Sequence, residues 1–214
     1  MTNFNIAVLV SGNGSNLQSL IDFSKNKDSG FNISCVATNN PKAKALTRIK
    51  KTEISSICLN NKNFKNREEF DKEMINQLSE YDLDLIVLAG YMRILSESFI
   101  NYYQGKIINL HPSLLPKYPG LNTHEKVFKN KDEFHGATVH LVDKGLDTGQ
   151  IIGFSKFKVK NQMEVDDFAE EVHKIEHKLL PTIVSLIANN KLKIGVTNIE
   201  LNNEIFENGK EFIF

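Results

Sequence analysis

Short β-branched runs alternate with helix-length amphipathic stretches through the first 110 residues, and this alternation limits the fold more than any other feature of the chain. Strand-like runs at 5–10, 33–38, 54–59, 83–89 and 106–110 are separated by helical patterns from 16, near 42, from 66 and from 96. Strands joined through helices of this length cannot be hairpins, so they form βαβ units and a parallel sheet covered on both faces. The expected fold is α/β, doubly wound and mostly parallel.

After residue 111 the pattern changes. A proline-rich loop leads to a short helix at 124–129, and strands at 137–142 and 150–159 are joined by a turn short enough for an antiparallel addition to the sheet. A long amphipathic helix follows over 164–190, with Val165, Phe168, Val172, Ile175, Leu179, Ile183 and Ile187 at helical spacing and Pro181 expected to kink it. The expected organisation is one domain over 1–194, with halves 1–110 and 111–194, and a C-terminal extension over 195–214 read as a surface extension or edge strand.

Charge and cysteine usage narrow the function. With 26 basic and 26 acidic residues the chain lacks the electrostatic footprint of a protein that binds nucleic acid through phosphates. No stretch approaches the roughly 18 apolar residues of a membrane span, and the N-terminus runs straight into a strand, so no membrane partner and a cytoplasmic location are expected. Cys35 and Cys58 sit in or beside apolar runs and read as small buried packing residues.

Two segments carry chemistry. Ser11-Gly12-Asn13-Gly14-Ser15-Asn16 joins the first strand to the first helix, where glycines let backbone N–H groups approach an anion at the helix N-terminus. Leu17 stands where a dinucleotide fingerprint has Gly or Ala, and Thr38-Asn39 ends the second strand without an acidic residue, so a monophosphate fits better than a dinucleotide. The second segment is the carboxyl end of the strand at 106–110, where Asn109 can donate an amide to an oxyanion and His111 can carry a proton. Three of the five prolines lie within the next eight residues and stiffen that loop. Asp147, in a glycine-containing turn after the strand that holds His140, can return to the same edge. Beside His111 it is expected to raise the imidazole pKa.

Asn109-Leu110-His111-Pro112-Ser113-Leu114-Leu115-Pro116, with His140 and Asp147 at their spacing, resembles the signature of the 10-formyltetrahydrofolate-dependent formyltransferases. Ser11–Leu17, Ala89-Gly90-Tyr91-Met92-Arg93-Ile94-Leu95 and Lys117-Tyr118-Pro119-Gly120 narrow the likeness to the branch that formylates glycinamide ribonucleotide in purine biosynthesis, over about residues 5 to 193. Lys144-Gly145, Asn122 and Thr148 depart from its commonest pattern.

The resemblance implies a Rossmann-like formyltransferase fold with 10-formyltetrahydrofolate as co-substrate and no metal. Asn109 would stabilise the oxyanion, His111 would act as acid and proton shuttle, Asp147 would hold and charge it, and His140 would support Asn109 or the folate. Gly14, Ser15 and Asn16 would cradle the ribonucleotide phosphate and Glu176 would bind its amino end. Arg67, Met92, Arg93, Ile94, Leu95, Asn109, Asp143, Lys144, Gly145, Leu146 and Asp147 would line the folate site, Arg67 and Arg93 facing the folate's glutamate tail. Small-molecule substrates and a monomer or weak homodimer follow.

Other classes have weaker footing. His173-Lys174-Ile175-Glu176-His177 matches the inverted zincin pattern, a five-residue coincidence without a third ligand. A formylase of initiator tRNA needs extra RNA-binding mass, and a formyltetrahydrofolate hydrolase an added regulatory domain. A sugar-phosphate or folate-binding module would explain the glycine loop but not Asn109, His111 and Asp147 together.

Overall fold

The computed structural model describes residues 4–195 and 198–214; positions 196 and 197 of the predicted tail lie outside the described residues. The chain divides into two compact units, Met1–Asn109 and Leu110–Phe214.

In the first unit, β1 (Phe4–Leu9), β2 (Phe31–Thr38), β3 (Ser55–Cys58), β4 (Leu85–Leu88) and β5 (Ile107–His111) run parallel in the order β3-β2-β1-β4-β5. The last two residues of β5 open the second unit. Ile6, Ala7, Val8 and Leu9 of β1 have no exposed surface, as expected of a central strand covered on both faces. Helices α1 (Ser15–Ser24), α2 (Ala45–Arg48), α3 (Arg67–Leu78) and α4 (Glu97–Tyr102) fill the crossovers. Phe70, Met74 and Leu78 recur at every fourth position of α3 and are fully buried, each contributing about 2 kcal/mol of burial. Asn66 caps α3 by accepting from Glu69 N–H, and Ser96 caps α4 by accepting from Phe99 N–H, which fixes where both helices start.

Two expectations change here. The helix near residue 42 is a single turn, Ala45–Arg48, because Asn40 turns the chain by accepting from Lys42 N–H. Cys35 is buried, but Cys58 is exposed: β3 is a four-residue edge strand that buries only Ile57. A thiol on its other face meets solvent.

In the second unit, β6 (Phe134–Leu141) and β7 (Ile151–Lys158) pair antiparallel from Phe134↔Lys158 to His140↔Ile151, with an irregularity between Val139 and His140. α5 (Thr123–Asn130) precedes them, and α6 (Val165–Ala188) packs on both strands through Phe168, Val172, Leu179 and Ile183. Glu164 and Asp167 form a capping box at its start, and the helix continues through Pro181. β8 (Leu192–Ile194), β9 (Ile199–Leu201) and β10 (Glu204–Phe206) make a small antiparallel sheet. β11 (Lys210–Glu211) then lies parallel to β7, opposite Gly153 and Phe154. Gly153 has no side chain because Phe212 occupies the space: a Cβ there would come 2.6 Å from its ring.

The architecture is thus α/β and doubly wound with mostly parallel pairings, an antiparallel C-terminal addition and a long C-terminal helix. Among the described residues no helix is long and apolar enough to cross a membrane.

Candidate active site

The first unit presents the glycine loop. Gly14 takes a left-handed backbone, φ 71°, and hands the chain into α1; a Cβ there would meet the Ala45 Cβ at 2.7 Å. No side chain caps α1. Arg48 steadies the loop by donating from Nε to the Asn13 carbonyl at 2.8 Å. Ser11 Oγ donates to Asn39 Oδ1 at 2.6 Å and accepts from Met92 N–H at 2.8 Å, tying the loop to the segment after β4. Sequence reasoning missed Ser11 and Asn39, since a serine before a glycine is common in any tight turn. Ser15 and Asn16 are half-buried at the start of α1. Ser11, Gly12, Asn13, Gly14, Asn39 and Met92 border a cavity of about 660 Å³, whose lining does not include Ser15 or Asn16.

In the segment after β4, Met92 and Ile94 are exposed at 70% and 64%, leaving apolar surface for a flat ligand. Leu95 is buried. The guanidinium of Arg93 lies over the Phe70 ring, 4.2 Å from its centroid. One face of the group thus packs on α3, and the residue stays half-buried. Arg67 stays exposed, paired with Glu68 at 3.2 Å. Asn109 stands opposite Leu88 at the carboxyl end of β5.

The second unit brings three predicted side chains together. Asp147 Oδ2 lies 3.3 Å from His111 Nδ1, and its Oδ1 lies 3.5 Å from His140 Nε2. The Gly120 N–H donates to Oδ2 at 2.8 Å. Asp147 sits at φ 54°, in the left-handed region that Asp and Asn reach more readily than other residues with a side chain. His111 Nε2–H donates to the Tyr118 carbonyl at 2.9 Å, and His140 Nδ1–H donates to the Leu141 carbonyl at 2.7 Å. The proline loop is pinned: Thr138 Oγ1 donates to the Ser113 carbonyl and accepts from Leu115 N–H, while Tyr118 donates its hydroxyl to Asp132. Both nitrogens of His111 therefore face acceptors, an arrangement fully satisfied only by the imidazolium.

Electrostatics partly reverse the expectation for His111. Burial outweighs the Tyr118 carbonyl and the Asp147 carboxylate, so its pKa is lowered rather than raised. For Asp147, burial pushes upward, but the hydrogen bonds from His140 and Gly120 and the charges of His111 and His140 prevail and hold it at about 2. The carboxylate is thus ionised across the working pH range.

Around it, Asp143 accepts from Gly145 N–H and from the Thr148 hydroxyl, ordering the 143–148 turn, where Lys144 is exposed and Leu146 is 54% exposed. Glu176 is buried on α6. His173 and His177 are exposed with stacked rings 6.2 Å apart, and among the described residues no group of three or more potential ligands is arranged to hold a metal. Sequence reasoning missed Tyr118 and Gly120 because both act through main-chain atoms.

The first unit carries a glycine loop at the start of α1, and the second holds an ionised aspartate between two buried histidines, a set of groups able to move protons in a group-transfer reaction. Residues 4–184 match the family described as formyl transferase. The chain is 42% identical to the phosphoribosylglycinamide formyltransferase of Escherichia coli (strain K12), over 89% of this chain and 90% of that one. It is 35% identical to the Bacillus subtilis (strain 168) protein of the same name, over 83% and 91%. The solved phosphoribosylglycinamide formyltransferase of Coxiella burnetii superposes with a TM-score of 0.93 at 34% identity, covering 99% of this chain and 100% of that one. The chain belongs to the formyl transferase family, in its phosphoribosylglycinamide formyltransferase branch.

Proposed function

We propose that this enzyme transfers the formyl group of 10-formyltetrahydrofolate to the amine of N1-(5-phospho-D-ribosyl)glycinamide in de novo purine biosynthesis. The products are the N-formyl derivative and tetrahydrofolate. The observation that carries this is the ionised Asp147 held between the buried His111 and His140 in a chain so similar to enzymes of that name.

The amine attacks the formyl carbon, forming a C–N bond and a tetrahedral oxyanion. Asn109 and charged His111 stabilise that oxygen, and Asp147 makes the imidazolium tenable in a buried place. The proton lost by the amine passes through His111 to N10 of the folate as the old C–N bond breaks. His140 holds the second oxygen of Asp147. Gly14, Ser15 and Asn16 receive the ribonucleotide phosphate, and Glu176 its amino end. Met92, Arg93, Ile94, Leu95 and Leu146 line the folate site, with Asp143, Lys144 and Gly145 in its turn and Arg67 and Arg93 near its tail. In this reading residues 1–110 form the ribonucleotide-phosphate-binding half and also lend Arg67 and Met92–Leu95 to the folate, residues 111–194 form the catalytic and folate half and lend Glu176 to the ribonucleotide, and residues 195–214 are an extension. The enzyme works as a cytoplasmic monomer or weak homodimer on small molecules.

The test follows the absorbance of 10-formyl-dideazafolate with purified protein, with and without glycinamide ribonucleotide. Deformylation that depends on the ribonucleotide is expected. Deformylation without it makes the protein a hydrolase, and none in either case overturns the assignment.

A further inference from the structure

The segment after β4 alternates between core and solvent: Tyr91 and Leu95 are buried, Arg93 is half-buried, and Met92 and Ile94 between them are exposed. Two apolar side chains can thus be offered to a ligand while their neighbours hold the segment to the fold. Its first end is fixed by Ser11, whose N–H donates to the Gly90 carbonyl at 3.0 Å and whose hydroxyl accepts from Met92 N–H at 2.8 Å. The other anchors come from two consecutive residues of α3. The Phe70 ring lies under the Arg93 guanidinium, and Asp71 accepts from Ser96 N–H at 2.6 Å. Ser96 is also the residue that caps α4, so the carboxylate fixes the point where the segment ends and the helix starts.

Asp71 is only 1% exposed, and a carboxylate buried so deeply costs more free energy than a neutral acceptor in the same place. Burial pushes its carboxyl above the ordinary value, while the Ser96 N–H and the charges of Arg93 and Arg67 pull the other way. The two arginines that act on it, one in the segment and one a turn earlier on α3, are the two assigned above to the folate's tail. No step of the proposed transfer uses this carboxylate. We infer that Asp71 is a positioning residue for the co-substrate, holding the 91–95 segment through Ser96 N–H and the Arg93 charge so that Met92 and Ile94 keep the places where the folate meets them. This rests on the folate reading and adds α3 to the site, although Asp71 is too deeply buried to touch the folate itself.

The test measures kcat, KM for 10-formyl-dideazafolate and KM for the ribonucleotide in Asp71→Ala and Asp71→Asn, with the calorimetric Kd of the folate analogue and thermal unfolding alongside. Asp71→Ala is expected to raise KM and Kd for the folate analogue at least ~10-fold, the scale of one charge-assisted hydrogen bond, and to leave kcat and the ribonucleotide KM unchanged. Asp71→Asn keeps an oxygen for Ser96 N–H and recovers part of that loss, the remainder reporting the charge that steadies Arg93. Met74→Ala opens a cavity further along the same helix, and it should lower the unfolding temperature without moving the folate KM. If Asp71→Ala does not fold, a rise confined to the folate KM in Asp71→Asn decides the matter. Unchanged folate KM in every Asp71 variant that folds overturns the inference and leaves the proposed function standing. So does an equal rise in both KM values, or a folate KM that rises as far in Met74→Ala, since either reports a general loosening of α3. If the wild type neither binds nor deformylates the analogue, the proposed function falls and the inference falls with it.

Discussion

His111 Nδ1 lies 3.3 Å from Asp147 Oδ2, the same oxygen that takes the Gly120 N–H, so a proline-stiffened loop and a glycine-containing turn meet on one carboxylate atom. Asp147→Asn keeps the shape of the side chain and tolerates the left-handed backbone, so it isolates the charge. The variant is expected to fold normally and to lose at least ~10²-fold in kcat with a smaller change in KM, as measured by steady-state kinetics.

The same pair fixes the direction of a titration. Burial lowers the His111 pKa and Asp147 opposes that lowering, so removing the carboxylate charge lets burial act further. The ring protons of His111, followed by NMR, should titrate below the ordinary histidine range in the wild type and lower still in Asp147→Asn. An upward move in the variant would contradict the assignment of causes.

His135 predicts the acid limb of stability. It is fully buried on β6, its Nε2 lies 2.8 Å from His124 Nδ1, and burial with the neighbouring His124 brings its pKa down to about 4. A depressed folded pKa means the unfolded chain binds the proton first, so this stability is present above pH ~6.5 and is lost as pH falls towards 4. Urea unfolding at pH 7.5 and 4.5 should differ by ~2–3 kcal/mol from this group. The difference should shrink in His135→Gln. Asp147 has the same sign lower down: its contribution is lost between the ordinary carboxylate range and about 2.

Gly14→Ala strains a left-handed residue and drives a methyl group to 2.7 Å from the Ala45 Cβ. A loss of ~1–3 kcal/mol in unfolding free energy is expected. The KM for the ribonucleotide should rise more than that for the folate, since the loop proposed to receive the phosphate is displaced. Equal rises would place the phosphate elsewhere.

Much of this architecture could be read from residue types because local and tertiary preferences agree. The β-branched runs of β1, β2 and β4 are also the buried ones, and the Asn66 and Ser96 side chains sit where capping residues belong. What was not legible arose from context. The Tyr118 carbonyl and Gly120 N–H are backbone atoms that any sequence possesses. Burial, a property of the whole fold, decided the direction of the His111 shift against its nearest charge. Nothing in the segment around Arg93 shows that Phe70, more than twenty positions earlier, lies under one face of its guanidinium. Cys58 was read from the company of its apolar neighbours, although strand alternation and a short edge turn it outward.

The two-residue strand β11 has a consequence for assembly. An uncovered strand edge is a template on which another chain can add, and β7 carries its backbone groups at Gly153 and Phe154 against Lys210 and Glu211, with Phe212 N–H donating to the Phe154 carbonyl at 2.8 Å. The Phe212 ring fills the gap over Gly153, so the tail blocks that edge sterically as well as through its own hydrogen bonds. Lys210, Glu211 and Phe212 thus close this stretch of β7 to any other strand, and this cover is independent of the chemistry at Asp147.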